Sequence, residues 1–275
     1  MESMMNQSNG WGPEGARAAL NITFDNLGAV AEEEIGLPSM MGEGGVHASI
    51  EVLPDLLRIL NGVKVTYFIE GWNCGAHPEE IQSICQAGHE VAVHGWRHEN
   101  WTNTAVSTRK DALKKAVDAF TAMGVDVAGF RPPGGKIDLA ELKAECQAVG
   151  LSYASPLGAI GDDRNDGEFI TFPFAWQHVD AYMLNPDLGA LRQTFGDPEE
   201  PYSLEQWGTL IEELLEKIKQ DGTHATLIFH PFMLKQSEKA LEIFAKLVKS
   251  VREDDDIWTP TCGELAAWMR RSQAA

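Results

Sequence analysis

Residues 18–28 read Ala18-Ala19-Leu20-Asn21-Ile22-Thr23-Phe24-Asp25-Asn26-Leu27-Gly28, an apolar run of strand length that ends in a carboxylate and an amide. A doubly wound α/β sheet usually carries a glycine-rich phosphate turn straight after its first strand. Here Asp25-Asn26 stands in that place. The stretch therefore predicts a closed or nearly closed α/β barrel. Working outward, further strand-like runs fall at 63–69, 90–94, 127–130, 151–154, 169–174, 224–229 and 257–259. Several are β-branched or aromatic and bounded by Gly or Pro, as buried strands are. Between them, 50–60, 78–86, 104–123, 139–149, 204–220 and 236–251 space apolar residues near a period of 3.6 and predict helices. Strand followed by helix, repeated about seven times, implies parallel strands joined by right-handed crossovers. Residues 1–17, rich in Gly, Asn and Ser at their start, read as a loose arm, and 18–275 as one domain.

Composition narrows the function classes. With 44% hydrophobic and 23% charged residues in 275, disorder, collagen and coiled coil are set aside. Twenty-two basic against 41 acidic residues leave a net charge of −19. Such a chain repels phosphate backbones and anionic lipid, so no nucleic-acid and no membrane partner is expected. No run approaches the ~20 apolar residues of a membrane span. The amino end lacks the basic and apolar regions of a secretory signal. Cys74, Cys85, Cys146 and Cys262 are scattered without any CxxC spacing, which reads as reduced thiols in a cytoplasmic protein.

The polar residues that follow the strands carry the chemistry. Asp25-Asn26 follow the first, Glu70-Gly71-Trp72 the second, and His94 with His98 the third. Arg131-Pro132-Pro133-Gly134-Gly135 follow the fourth; the sixth leads to Trp176 and Asp180, and the seventh to His230-Pro231. In an α/β barrel every strand's carboxyl end opens onto one face, where active sites are built. Each signal alone is weak. Eight histidines in this length give about 0.2 pairs at i,i+4 by chance, and Asp-Asn is common in plain turns. Their combination at successive strand exits is the stronger argument.

With TFDN at 23–26, HGWRH at 94–98, RPPGG at 131–135 and LIFHP at 227–231, the chain resembles the polysaccharide deacetylase family. The resemblance covers roughly 18–270. The loop 172–183, FPFAWQHVDAYM, is similar to the intracellular branch of cyclic-imide hydrolases and allantoinases. The resemblance implies a distorted (β/α) barrel of about seven parallel strands and an amide hydrolase. Asp25 would be the general base, held ionised by Arg131, and His230 the acid for the departing nitrogen. Gly134 would offer its N–H to the oxyanion. Trp176 and Asp180 would shape the pocket, with Glu70 and Trp72 also near substrate. Asn26, His94 and His98 would hold a divalent metal, zinc in most of the family. The substrate would be a small molecule or an oligosaccharide, and related intracellular members form homo-oligomers.

One position departs from the motif. The family's second aspartate is Asn26 here, and a neutral amide binds a dication more weakly than a carboxylate does. Three outcomes follow: Asn26 coordinates, a carboxylate such as Glu70, Glu32, Glu33 or Glu34 substitutes, or the site works without metal. Trp72, Trp96 and Trp101 either line the mouth as a stacking wall or pack against helices. The stretch 27–49 is long enough for a lid, and His47 within it has no assigned role. Deacetylation of an N-acetyl sugar leads; ring opening of a cyclic amide or imide and a catalytically silent binding protein are the alternatives.

Overall fold

The computed structural model describes residues 10–42 and 44–273. Among them, one sheet gathers β1 (Ala18–Asp25), β2 (Thr66–Ile69), β3 (Glu90–Val93), β4 (Gly129–Phe130), β5 (Tyr153–Ala154), β6 (Arg164–Asn165), β7 (Ile170–Thr171), β8 (His224–Phe229) and β9 (Ile257–Trp258). The order is β6-β7-β5-β4-β3-β2-β1-β8, with β9 beside β1. All pairings are parallel except β6 with β7. The sheet curls without closing: between β7 and β8 a single parallel bridge, Val179 to Ile228, stands where a strand ladder would complete the barrel. This is the distorted barrel that the sequence predicts, with every predicted strand present. The addition is β6. It sits in the polar stretch 161–168, where no apolar pattern marks a strand, although Asp166-Gly167 is a turn signal.

All eight residues of β1 are buried because both of its faces are covered. Leu20, Ile22 and Phe24 enter the main core under the helices, where Phe24 stacks on Tyr67 at 4.6 Å. The alternate residues Asn21, Thr23 and Asp25 turn to the barrel interior, following the period of two in a strand. That interior is polar. Glu90 accepts from Thr66 Oγ1 at 2.7 Å, Tyr153 OH at 2.9 Å and the Gly263 N–H at 2.8 Å. Its last partner belongs to the helix Cys262–Gln273, which packs Leu265, Ala266 and Met269 against Phe68, Ala92 and Tyr153. This helix was not expected. Thr261 and Glu264 form a reciprocal cap at its start, a pattern visible in the sequence.

The six predicted helices appear as Ala48–Ile59, Pro78–Gln86, Val106–Ala122, Leu139–Gln147, Leu204–Asp221 and Glu238–Arg252. Caps define several of their ends: Asp138 and Ser237 accept from first-turn N–H groups, and Ser203 with Gln206 forms a capping box. Of the arm, residues 1–9 lie outside the described residues. Trp11 donates to the Gly222 carbonyl at 2.9 Å and packs 5.2 Å from the Trp268 ring. The stretch 27–49 contains a short helix, Val30–Ile35. His47 caps the next helix and bonds both Ser49 Oγ, at 2.8 Å, and the buried Glu32 carboxylate, at 3.2 Å. The four cysteines are free, and among the described residues no helix is long and apolar enough to cross a membrane.

Candidate active site

At the end of β1, Asp25 Oδ1 lies 2.5 Å from Arg131 Nη1, and both side chains are buried. Arg131 follows β4. Its guanidinium lies 4.0 Å from the Phe68 ring centre and donates to Thr23 Oγ1 at 2.9 Å and Ser155 Oγ at 3.1 Å. A cation so fully engaged has little freedom to leave its carboxylate. Burial raises the proton affinity of Asp25, but Arg131, His94 and His230 outweigh it and hold the carboxyl below its ordinary range.

The second oxygen of Asp25 faces His94 Nε2 at 3.7 Å. His94 Nδ1 bonds the Arg131 carbonyl at 2.8 Å. A carbonyl can only accept, so Nδ1 carries the proton and Nε2 keeps its lone pair. His98 lies beside it, ring centres 4.9 Å apart. Burial and the neighbouring His94 push its pKa down to about 3, so the ring is neutral. The loop joining the two histidines is folded by Glu99, whose carboxylate accepts the N–H groups of Trp96 and Arg97 at 3.0 Å each. His98 and Asn26 both adopt positive φ, 78° and 67°, an uncommon conformation for side-chain-bearing residues that collects at functional sites.

From the end of β8, His230 enters the same charged cluster. Its Nδ1 lies 2.6 Å from Asp180 Oδ1, and its backbone N–H donates to Asp180 Oδ2 at 2.7 Å. Burial lowers the affinity of the ring for its proton, yet the Asp180 carboxylate and Asp25 lift the pKa above its ordinary value. Gly134 has φ of 74° with open space where a side chain would stand, and the turn's hydrogen bond runs from Gly135 N to the Pro132 carbonyl at 2.8 Å.

The structure thus brings Asp25, Arg131, His94, His98, His230 and Asp180 together, and sets others apart. Glu70 is buried within reach of the charge on Asp25 but clamps the neighbouring backbone. Its Oε2 accepts from Leu27 N at 3.3 Å and Asn73 Nδ2 at 2.9 Å. Trp72 is 43% exposed on the rim, under the Arg97 guanidinium at 4.5 Å and edge-on to Trp96. Trp176 stacks on Tyr182 at 6.0 Å. Trp101 is no part of a mouth: it is fully buried against Phe130 and donates to Glu145. Thr23, Ser155 and Glu99 went unread in the sequence. Ser155 follows β5 directly, so marking the residue after every strand would have found it.

Residues 18–154 match the polysaccharide deacetylase family. Over those residues the chain is similar to the polysaccharide deacetylases. A peptidoglycan deacetylase-like protein of Gibberella zeae is 35% identical over 99 residues, which is 34% of this chain and 29% of that protein. The match thus spans under a third of that curated relative's length. Among solved structures, one from Mycobacterium smegmatis assigned to the polysaccharide deacetylases superposes with a TM-score of 0.78 at 24% identity, over 96% of this chain and 93% of its own. The Puue allantoinase superposes with a TM-score of 0.71 at 14% identity, over 100% and 98%. These likenesses show the shared fold.

The deacetylase fold implies a divalent metal, and the residues present can be tested for it. Among the described residues, no three His, Cys, Asp or Glu side chains gather as a metal-holding group. The amide of Asn26 is needed as a third donor. Asn26 Oδ1 and His98 Nδ1 are each buried without a hydrogen-bond partner, and His94 presents a bare Nε2. Buried polar atoms are rarely left unpaired without a ligand to receive them. Two neutral imidazoles and an amide oxygen fit a divalent cation, more weakly than a set with a carboxylate would. Of the carboxylates that could substitute, Glu32 is engaged with His47 and Glu33 and Glu34 with Arg97, while Glu70 spends Oε2 on Leu27 and Asn73 and keeps Oε1 unpaired.

Proposed function

We propose that residues 18–275 form one catalytic domain that hydrolyses a non-peptide carbon–nitrogen bond, with the N-acetyl group of a sugar as the leading substrate. One observation carries the reading. A buried carboxylate that Arg131 holds below its ordinary range lies within electrostatic reach of a histidine whose proton affinity Asp180 raises. A base and an acid with affinities pushed apart are what amide hydrolysis needs, because water must lose a proton while nitrogen gains one. Asp25 takes the proton from water as its oxygen bonds to the carbonyl carbon. The Gly134 N–H stabilises the oxygen that becomes negative. His230 then gives its proton to the nitrogen as the carbon–nitrogen bond breaks, and Asp180 steadies the ring. A divalent cation such as zinc, held by His94, His98 and Asn26, would polarise the carbonyl. Trp176 and Trp72 border the approach.

The neutral amide of Asn26 favours a second reading, ring opening of a cyclic amide or imide by the same base and acid. Weaker metal binding is tolerable when the leaving group is an activated imide nitrogen. A cytoplasmic setting, which the composition supports, suits such small soluble substrates. The test is a panel: acetate release from N-acetylated sugars beside ring opening of hydantoin, dihydrouracil and succinimide, with and without added zinc. Turnover of the sugars supports deacetylation, and turnover of the rings alone moves the assignment to the second reading. A folded protein that turns over nothing in the panel leaves a silent binding scaffold.

A further inference from the structure

Beside the charged cluster lies a groove of about 590 Å³, lined by Leu157, Ile160, Ala175, Trp176, His178 and Phe195 among others. Two segments that frame the site also build this groove. Leu157 N donates to the Gly135 carbonyl at 2.8 Å, so one wall continues the Arg131–Gly135 turn. The other wall is the 3-10 turn Trp176–His178, which ends two residues before Asp180. Phe174 lies between: its ring is edge-on to Trp176 at 5.7 Å and 5.5 Å from the Arg131 guanidinium. One aromatic ring therefore separates the groove from the catalytic charges.

The chemistry on the two sides of that ring is opposite. Among the described residues, no Asp, Glu, Lys or Arg lines the groove. His178 lies in its wall with Nδ1 buried and without a hydrogen-bond partner. Burial alone lowers the pKa of that ring to about 4, so it is uncharged near neutrality. Phe195 is 41% exposed, and Trp176 is held in place by Tyr182, whose hydroxyl donates to Asp197 at 2.5 Å. A concavity of this size, lined mostly by apolar side chains, suits an uncharged ligand group.

We propose that this groove is a specificity subsite for an uncharged apolar substituent of the substrate, an aromatic ring that would stack beside Trp176 and Phe195. The inference rests on the hydrolase reading for its catalytic consequence, whereas binding in the groove can be measured independently. The probes are 2-phenylsuccinimide, succinimide and the charged phenylsuccinate, titrated by calorimetry into the full chain and its Phe195→Ser and Ile160→Asp variants. Phe195 is half exposed and Ile160 partly so, and thermal melting checks that both variants fold. The wild type should bind the phenyl imide at least about tenfold more tightly than succinimide, and Ile160→Asp should erase most of that advantage. Phe195→Ser should reduce it, and phenylsuccinate should gain nothing from its ring. Equal binding of the two imides, an advantage kept in both variants, or binding that weakens as protein concentration rises because a second copy fills the groove would overturn the subsite. A retained phenyl advantage in a protein that hydrolyses no amide upholds the subsite and removes the hydrolase reading instead.

Discussion

β8 opens with a histidine facing an aspartate, and the residue after its last position is another. At the start, His224 Nδ1 lies 2.9 Å from Asp163, and Nε2 lies 2.9 Å from Asn21 Oδ1. The Asn21 amide donates to the Pro260 carbonyl, which turns its oxygen toward the ring. At the far end, His230 Nδ1 lies 2.6 Å from Asp180, and among the described residues no hydrogen bond holds its Nε2. The lower imidazole is 1% exposed and the upper 12%. The same pair of residue types makes a closed plug where both ring nitrogens are engaged, and leaves one ring nitrogen over at the end where the proposed mechanism needs a proton carrier. In the proposed mechanism, reactivity follows from unspent hydrogen-bonding capacity at the end where the strand exits converge.

Paired substitutions would break or sharpen that contrast. His230→Gln should lower turnover by about 10²–10⁴ while the melting midpoint stays close to wild type, because the role proposed for this ring is proton transfer. His224→Gln should do the reverse. It strands a buried Asp163 carboxylate, so urea unfolding should report a loss of about 3 kcal/mol while the folded fraction keeps its turnover. If both substitutions act on stability alone, the upper pair is merely a second plug.

A smaller effect concerns Glu70, which has an unpaired Oε1 and a carboxyl that burial pushes up to about 8. Its folded pKa lies above its unfolded value, so the unfolded chain binds fewer protons than the folded one as pH climbs from about 4.5 to about 8. Stability therefore falls across that window. Glu70→Gln keeps an acceptor for Leu27 and Asn73 and removes the titration. It should stabilise the protein by about 2 kcal/mol at pH 7.5 and by little at pH 4.5, read from urea midpoints at both values. The smallest effect is expected at the exposed pair of Arg97 with Glu33, 3.1 Å apart. Glu33→Gln should shift stability by less than about 1 kcal/mol, a shift that disappears in high salt.

Much of the fold was legible because most of the parallel strands pair an apolar run with a polar exit. Asp25, His94, Arg131 and His230 could be marked in sequence order before their meeting was known. The interior face was not legible. An apolar run does not say which residues point inward, so the polar lining of Asn21, Thr23 and Glu90 emerged only with the pleat of the strands. Ser155 and Glu99 were missed for a related reason: each acts through Arg131 or the His94–His98 loop, and neither belongs to a residue pattern that carries chemistry alone. β6 escaped because its two residues are paired by a turn in a polar stretch, where hydrophobic periodicity has nothing to report.

The most direct measurement is kcat/KM for Asp25→Asn on the best substrate of the panel, with thermal melting of the same preparation. Asparagine can still accept the Arg131 hydrogen bond, so the cluster keeps its shape and loses only its base. A fall of about 10²–10⁴ in a folded protein is the expected result. Turnover at the wild-type rate would contradict the assignment of Asp25 as the group that activates water.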